Sequence, residues 1–266
     1  MPQRSAGQPR KKDGERFNDG PARLVFDGGA GVMSDAADET GGPRAEGDGV
    51  GHTLGFVRQF ISNPHSVGAI APSSRVLARA LCEPYQASQP PVSVLEVGAG
   101  TGAVTKYIGS VLRAGDTLDI CEISPAFTDL LRRNVLTTPA FSGPAAAGRV
   151  RLLEGPVQDV IGDRKYHFII SGLPLTIFTV EQVSRILDAL RRSLHPGGVF
   201  SYFEYIGLRK LSGALMTGRE RRRAREVSKF LTTNIAAYQF QRRTVLINLP
   251  PAYARHWRFD DGATAA

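Results

Sequence analysis

Three alternating glycines, Gly98, Gly100 and Gly102, follow an apolar run, Val92–Val97, whose one charged residue is Glu96. An apolar run of that length reads as a buried strand, and glycines at its exit let the main chain turn through positive φ and approach a ligand closely. The helix expected after Gly102 points its unpaired N–H groups at the same place. About twenty residues on, a second acid, Glu122, ends another apolar run in "DICEIS". A carboxylate there can accept both hydroxyls of a sugar, each charge-assisted bond contributing about 1.5–3 kcal/mol. A third polar position, Ser171, ends the run Tyr166–Ser171 and is followed by Gly172, Leu173 and Pro174. A fourth group, Tyr202, Glu204 and Tyr205, closes the run Val199–Tyr205. Ligands of open α/β sheets bind beyond the carboxyl ends of the strands, and these residues all fall there.

The elements that must position them alternate. Strands are expected at Val92–Val97, Thr117–Ile123, Val150–Leu153, Tyr166–Ser171 and Val199–Tyr205. Helices between them bury Val104, Ile108, Val111 and Leu112; then Phe127, Leu130, Leu131 and Val135 behind a Ser124 cap; then Val180, Val183, Leu187, Leu190 and Leu194. Two more strands, near Phe240–Asn248 and His256–Phe259, complete seven. The order β-α-β-α predicts an α/β fold, a Rossmann-like seven-stranded sheet with helices on both faces. Residues 51–85 read as N-terminal helices. In the first, Leu54, Val57 and Ile61 share a face with Phe56 and Phe60 beside them, and Arg58 lies opposite. The next is capped by Ser73 or Ser74 and buries Val76, Leu77, Ala80 and Leu81. Residues 207–235 read as a basic helical insert, with eight Lys/Arg against two Glu between 207 and 230 and an apolar face of Ala224, Val227 and Leu231. Residues 1–50, rich in glycine and mixed charge, are expected to be a disordered leader, and residues 51–266 one domain.

Composition narrows the choices. The chain has 266 residues, 42% of them hydrophobic, and a formal net charge of +8. That surplus favours anionic partners, a lipid surface or nucleic acid, without choosing between them. Cys82 and Cys121 fall in apolar-periodic segments and read as buried free thiols of a reducing compartment. No metal-ligand spacing occurs. No apolar h-region follows the basic start, and the longest apolar stretch is broken by Ser171, Gly172 and Pro174. A cytoplasmic, peripherally membrane-associated chain is therefore expected.

The spacing Gly98-x-Gly100-x-Gly102, with Glu96 before it and Glu122 after the second strand, resembles motif I and the ribose acid of class I S-adenosylmethionine-dependent methyltransferases. "NPHSVGAIAPSSRVLARAL", "VLEVGAGTG", "SGLPLTIF" and "LINLPPAYARHWRF", in that order, resemble the bacterial phosphatidylethanolamine N-methyltransferases and, more distantly, the ribosomal RNA adenine dimethylases. The resemblance implies S-adenosylmethionine as cofactor, held by Glu96, Gly98, Gly100, Gly102, Glu122, Ser171 and Ser73. The Val157 backbone or Gln158 would meet the adenine, because Pro156 stands where many such enzymes carry an acid. It implies methyl transfer to a phospholipid head-group amine, with Tyr205, Ser171 and the Leu173 carbonyl at the acceptor. Enzymes that methylate base amines usually place an aromatic ring at the position of Leu175, and an aliphatic substrate needs none. RNA adenine or a small-molecule amine is the alternative acceptor. The basic insert and the Phe56/Phe60 helix suit an anionic membrane surface, and nucleic acid is the second partner class.

Overall fold

The computed structural model describes residues 74–206, 218–248 and 250–259, all within one unit spanning Gly42–Ala266. The expected leader, the Leu54–Ile61 helix, Ser73 and residues 207–217 of the expected insert lie outside the described residues. Strands β1 (Ser93–Val97), β2 (Thr117–Glu122), β3 (Val150–Glu154), β4 (Tyr166–Ser171), β5 (Leu194–Tyr205), β6 (Gln239–Val245) and β7 (Ala252–Arg258) form one sheet. Their order is β3-β2-β1-β4-β5-β7-β6, with β7 alone antiparallel to its neighbours. The order reverses between β1 and β4, so a crevice opens at their carboxyl ends.

Helices cover both faces. On one face α1 (Arg75–Leu81), α2 (Glu83–Gln86), α3 (Ala103–Val111), α4 (Pro125–Asn134) and α5 (Pro139–Ala146) bury Leu77, Tyr85, Ile108, Leu131 and Phe141 against Val94, Leu118, Ile120 and Phe203. On the other, α6 (Val157–Val160), α7 (Val180–Arg192) and α8 (Gly218–Tyr238) bury Val157, Val183, Leu187, Leu190, Val227 and Leu231 against Leu95, Ile169, Phe200 and Trp257. Each such aliphatic side chain contributes about 1.5–3 kcal/mol. α7 is the most sharply amphipathic helix, and its start is fixed by a capping box in which Thr179 Oγ1 accepts from Gln182 N and Gln182 Oε1 accepts from Thr179 N.

Three expectations shift. α1 buries Leu77, Ala78 and Leu81, while Val76 is 45% exposed. The helix packs through the 77/78/81 face because Ser74, not Val76, anchors its start. Its Oγ accepts from Leu77 N, and its own N–H donates to Asn248 Oδ1. Ser124 occupies the N-cap of α4 but makes no side-chain cap bond, and its backbone N–H donates to Glu122 Oε1. Leu194, expected on the helix, begins β5 instead. The short helices α2, α5 and α6 escape periodicity because four to eight residues show too little of a 3.6-residue repeat.

The amino ends of the strands are tied by acids. Asp116 accepts from Tyr85 Oη at 2.8 Å, Val92 N at 2.9 Å and Arg113 Nε at 2.8 Å. Asp119 accepts from Arg151 and from Tyr166 Oη, each at 2.7 Å. α3 and α5 meet where Gly109 leaves room for the buried Phe141 ring: a Cβ on Gly109 would lie 2.4 Å from Phe141 Cζ. Gly109→Ala sets helix propensity, worth about 1 kcal/mol in alanine's favour, against overpacking of about 1–3 kcal/mol. The clash is with a ring that is 1% exposed, so net destabilisation is expected, and urea unfolding reads it directly.

Candidate active site

Gly98, Gly100 and Gly102 all adopt positive φ, at 74°, 55° and 83°. Each has a different reason. A Cβ on Gly98 would lie 2.5 Å from Leu173 Cδ2, and one on Gly102 would strike Val135 and Leu131 of the α4 region at 2.8 and 2.9 Å. A Cβ on Gly100 would meet nothing within 4 Å. The tip of the turn thus faces open space while its two shoulders are packed. A second loop abuts the first: Gly172 N donates to Val97 O at 2.8 Å, and a Cβ on Gly172 would lie 2.5 Å from Gly98 O. The sequence suggested the glycine turn; the close approach of Gly172 to Gly98 needed the sheet register.

Glu122, 5% exposed, reaches across from β2. Its Oε2 accepts from Gly100 N at 2.8 Å and its Oε1 from Ser124 N at 2.9 Å. Burial pushes its carboxyl above the usual carboxylate range, while the N–H groups of Gly100, Ser124 and Ile123 pull it back. Each oxygen keeps a second lone pair, so the geometry that fixes the turn leaves capacity for two sugar hydroxyls. Val157 N heads α6 behind the Pro156 N-cap, placing a helix-start N–H beside the end of β3. Gln158 and Asp159 are exposed on the same short helix.

Glu96 does not sit where a cofactor ligand is expected. It is fully buried on the face of β1 that packs against the α1 and α3 layer, and neither carboxylate oxygen has a hydrogen-bond partner. Burial lifts its pKa to about 8; neighbouring Thr105 of α3 offsets part of this, and the charge of Glu122 adds to it. The alternation of β1 sends position 96 behind the turn, although its place in the motif suggests a ligand.

Ser171 is buried, and its Oγ accepts from Leu173 N at 3.2 Å, shaping the second loop rather than projecting from it. The Leu173 carbonyl accepts no hydrogen bond from the described residues. A 3-10 turn, Leu175–Ile177, follows and buries Leu175. A small cleft lies at the tips of β4 and β5, lined by Pro174, Leu175, Thr176, Tyr202, Phe203, Glu204, Tyr205 and Leu231 of α8. Tyr205 enters it from the face of Phe203, against which its ring lies at 4.9 Å. Burial pushes its phenol up to about 12. Tyr202 enters from the opposite face; its hydroxyl is fully buried without a partner, and burial raises its pKa further still. Glu204 Oε2 accepts from Arg255 Nε at 2.8 Å. The alternation of β5 puts Tyr202 and Tyr205 on opposite faces, yet the cleft takes in both because it wraps the strand tip. Among the described residues no group of three or more His, Cys, Asp or Glu could hold a metal.

Residues 94–198 match the family model described as a methyltransferase domain. The ornithine lipid N-methyltransferase of Singulisphaera acidiphila is 28% identical over 154 residues, covering 55% of this chain and 74% of that protein. An O-methyltransferase from Bacillus cereus, solved with S-adenosylhomocysteine, superposes with a TM-score of 0.51 at 14% identity over 78% of this chain and 90% of its own. The glycopeptide N-methyltransferase MtfA, solved with sinefungin, does so with a TM-score of 0.51 at 14% identity over 71% and 87%. The fold and the glycine turn are those of a class I methyltransferase, and its cofactor is S-adenosylmethionine. The chain is a S-adenosylmethionine-dependent methyltransferase that resembles lipid N-methyltransferases.

The residues present fit that cofactor: an open glycine tip, a pre-aimed carboxylate for the ribose and a helix-start N–H for the adenine. When bound, the cofactor supplies an electrophilic methyl group.

Two substitutions separate the two acids. Glu122→Ala removes the acceptor facing the open tip, and calorimetry should show cofactor affinity falling at least about tenfold, as loss of one or two charge-assisted bonds requires. Glu96→Gln should act on stability instead. Between the ordinary carboxylate range and pH about 8 the folded chain keeps a proton on Glu96 that the unfolded chain has released. Stability therefore falls as pH rises through that window, by on the order of 3 kcal/mol, and the glutamine variant should flatten the slope in urea titrations between pH 5 and 9.

Proposed function

We propose that this methyltransferase transfers its methyl group to the amine of a membrane-lipid head group. The observation that carries the reading is the acceptor cleft. At the place where a base would need a ring to stack on, buried Leu175 presents an aliphatic wall, backed by Leu231 and Pro174. The Tyr202 ring is already packed: it stacks on Phe200 at 5.5 Å and meets Trp257 edge-on at 4.9 Å. The aliphatic wall at Leu175 offers no flat π-face, which disfavours a nucleobase and suits a small alkyl amine. The ornithine lipid relative supports the same substrate class.

Methyl transfer of this kind is an in-line displacement, so the amine must present a free lone pair about 3 Å from the methyl carbon. In this reading the Leu173 carbonyl and the Tyr205 hydroxyl accept the amine's N–H bonds and aim its lone pair toward the glycine turn. Neither tyrosine is the base. Burial raises both phenols, so they stay neutral and act as hydrogen-bond partners. The ammonium proton passes to water or to Glu204, the one carboxylate lining the cleft among the described residues.

Incubation with labelled S-adenosylmethionine and bilayers of phosphatidylethanolamine or ornithine lipid, followed by chromatography, should give labelled lipid. Label in RNA and none in lipid would overturn the reading. Tyr205→Phe should lower kcat about 10- to 100-fold while leaving the shape of the pH–rate profile unchanged, because the residue orients the amine and does not titrate.

A further inference from the structure

The link between β6 and β7 emerges at the same sheet edge as the site. β7 is antiparallel to both β5 and β6, so β6 runs parallel to β5 and ends, like it, at the carboxyl edge. Ala252 pairs with Tyr205 on one side and Val245 on the other, so the link leaves the sheet level with the acceptor cleft. Its first two residues are the most exposed large hydrophobics among those described: Leu246 at 71% and Ile247 at 84%. The residues on either side are buried, Val245 at 4% and Asn248 at 2%. Asn248 pins the link from both ends. Its Nδ2 donates to Pro250 O at 2.7 Å, and its Oδ1 accepts from Ser74 N at 3.0 Å. The outward pose of Leu246 and Ile247 is therefore held by the fold. The Ser74 bond also brings in the first turn of α1, with half-exposed Val76 and exposed Arg75.

Basic charge gathers at the same edge. α8 runs from the carboxyl edge to the amino edge: Leu231 lines the cleft beside Tyr205, and Tyr238 packs on Phe259 at 5.0 Å near the far end. The turns before Leu231 lead on past the cleft toward the carboxyl edge, with Val227 and Ser228 still buried. They carry exposed Arg222, Arg225 and Lys229.

We propose that the β6–β7 link, through Leu246 and Ile247, inserts into an anionic lipid bilayer and sets the cleft face-down on it. An apolar tip flanked by bases is what an interface with apolar depth and negative surface charge selects. The proposal rests on the lipid-amine reading for its purpose, since a lipid that stays in its bilayer requires the cleft edge to come to it.

The test is Leu246→Ser/Ile247→Ser in the full chain, with vesicles of equal parts phosphatidylethanolamine and phosphatidylglycerol. Co-sedimentation should fall about tenfold or more, and Leu246→Trp/Ile247→Trp should restore it. Cofactor affinity, and turnover of short-chain phosphatidylethanolamine below its micelle concentration, should stay unchanged, which excludes misfolding. Unchanged co-sedimentation of the serine variant, or a wild-type chain that ignores the vesicles, overturns the proposal. So does a dimer-to-monomer change in gel filtration on the serine substitutions, since the tip would then cover a second copy. The two readings fail separately. Hairpin-dependent vesicle binding without methylation of any lipid amine sinks the acceptor assignment and leaves the insertion standing. Methylation of the short-chain lipid with hairpin-independent vesicle binding does the reverse.

Discussion

The carboxylate of Glu122 organises the carboxyl edge of the sheet. One oxygen holds Gly100 at the tip of the first turn, and the other holds Ser124 at the start of α4. Its main-chain carbonyl accepts from Gly155 N at 2.9 Å and so sets the exit of β3 as well. A buried carboxylate is costly unless hydrogen-bonded. Here the bonds that meet that cost are the same ones that shape the cofactor cradle. The glycine turn and the entry to α4 take their positions from its carboxylate, and the approach to α6 from its main-chain carbonyl.

The second constraint is steric. Gly172 and Gly98 touch backbone to backbone, so the loop after β4 is pressed against the loop after β1. That contact fixes the distance between the donor side and the acceptor side of the crevice. In-line transfer tolerates little error in that distance. A side chain at either position would clash across this contact.

The two edges of the sheet are built differently. At the amino edge Asp116 and Asp119 are fully bonded to tyrosine hydroxyls, arginines and main-chain N–H groups. Toward the carboxyl edge polar groups stand without partners: the hydroxyl of Tyr202 and both oxygens of Glu96. Exposed Leu246 and Ile247 add unburied apolar surface there.

Much of this was legible in the residues. Strand and helix order follows from apolar periodicity, because buried strands and amphipathic helices leave repeats that depend only on local geometry. The glycine spacing and the acid at the end of β2 are local signals too, and they mark the cradle and Glu122 directly. Tertiary structure decided what depends on partners distant in sequence. Glu96, a ligand by motif, is turned behind the cradle by the alternation of β1. Ser124 gives its N–H to Glu122 in place of capping with its hydroxyl. Tyr202 and Tyr205 share one cleft because it wraps the end of β5. Exposed Leu246 and Ile247 adjoin Asn248, which is bonded to Ser74 across 174 residues of sequence. Periodicity reports which face a residue takes relative to its neighbours along the chain, whereas what that face meets is fixed only when the sheet closes its register.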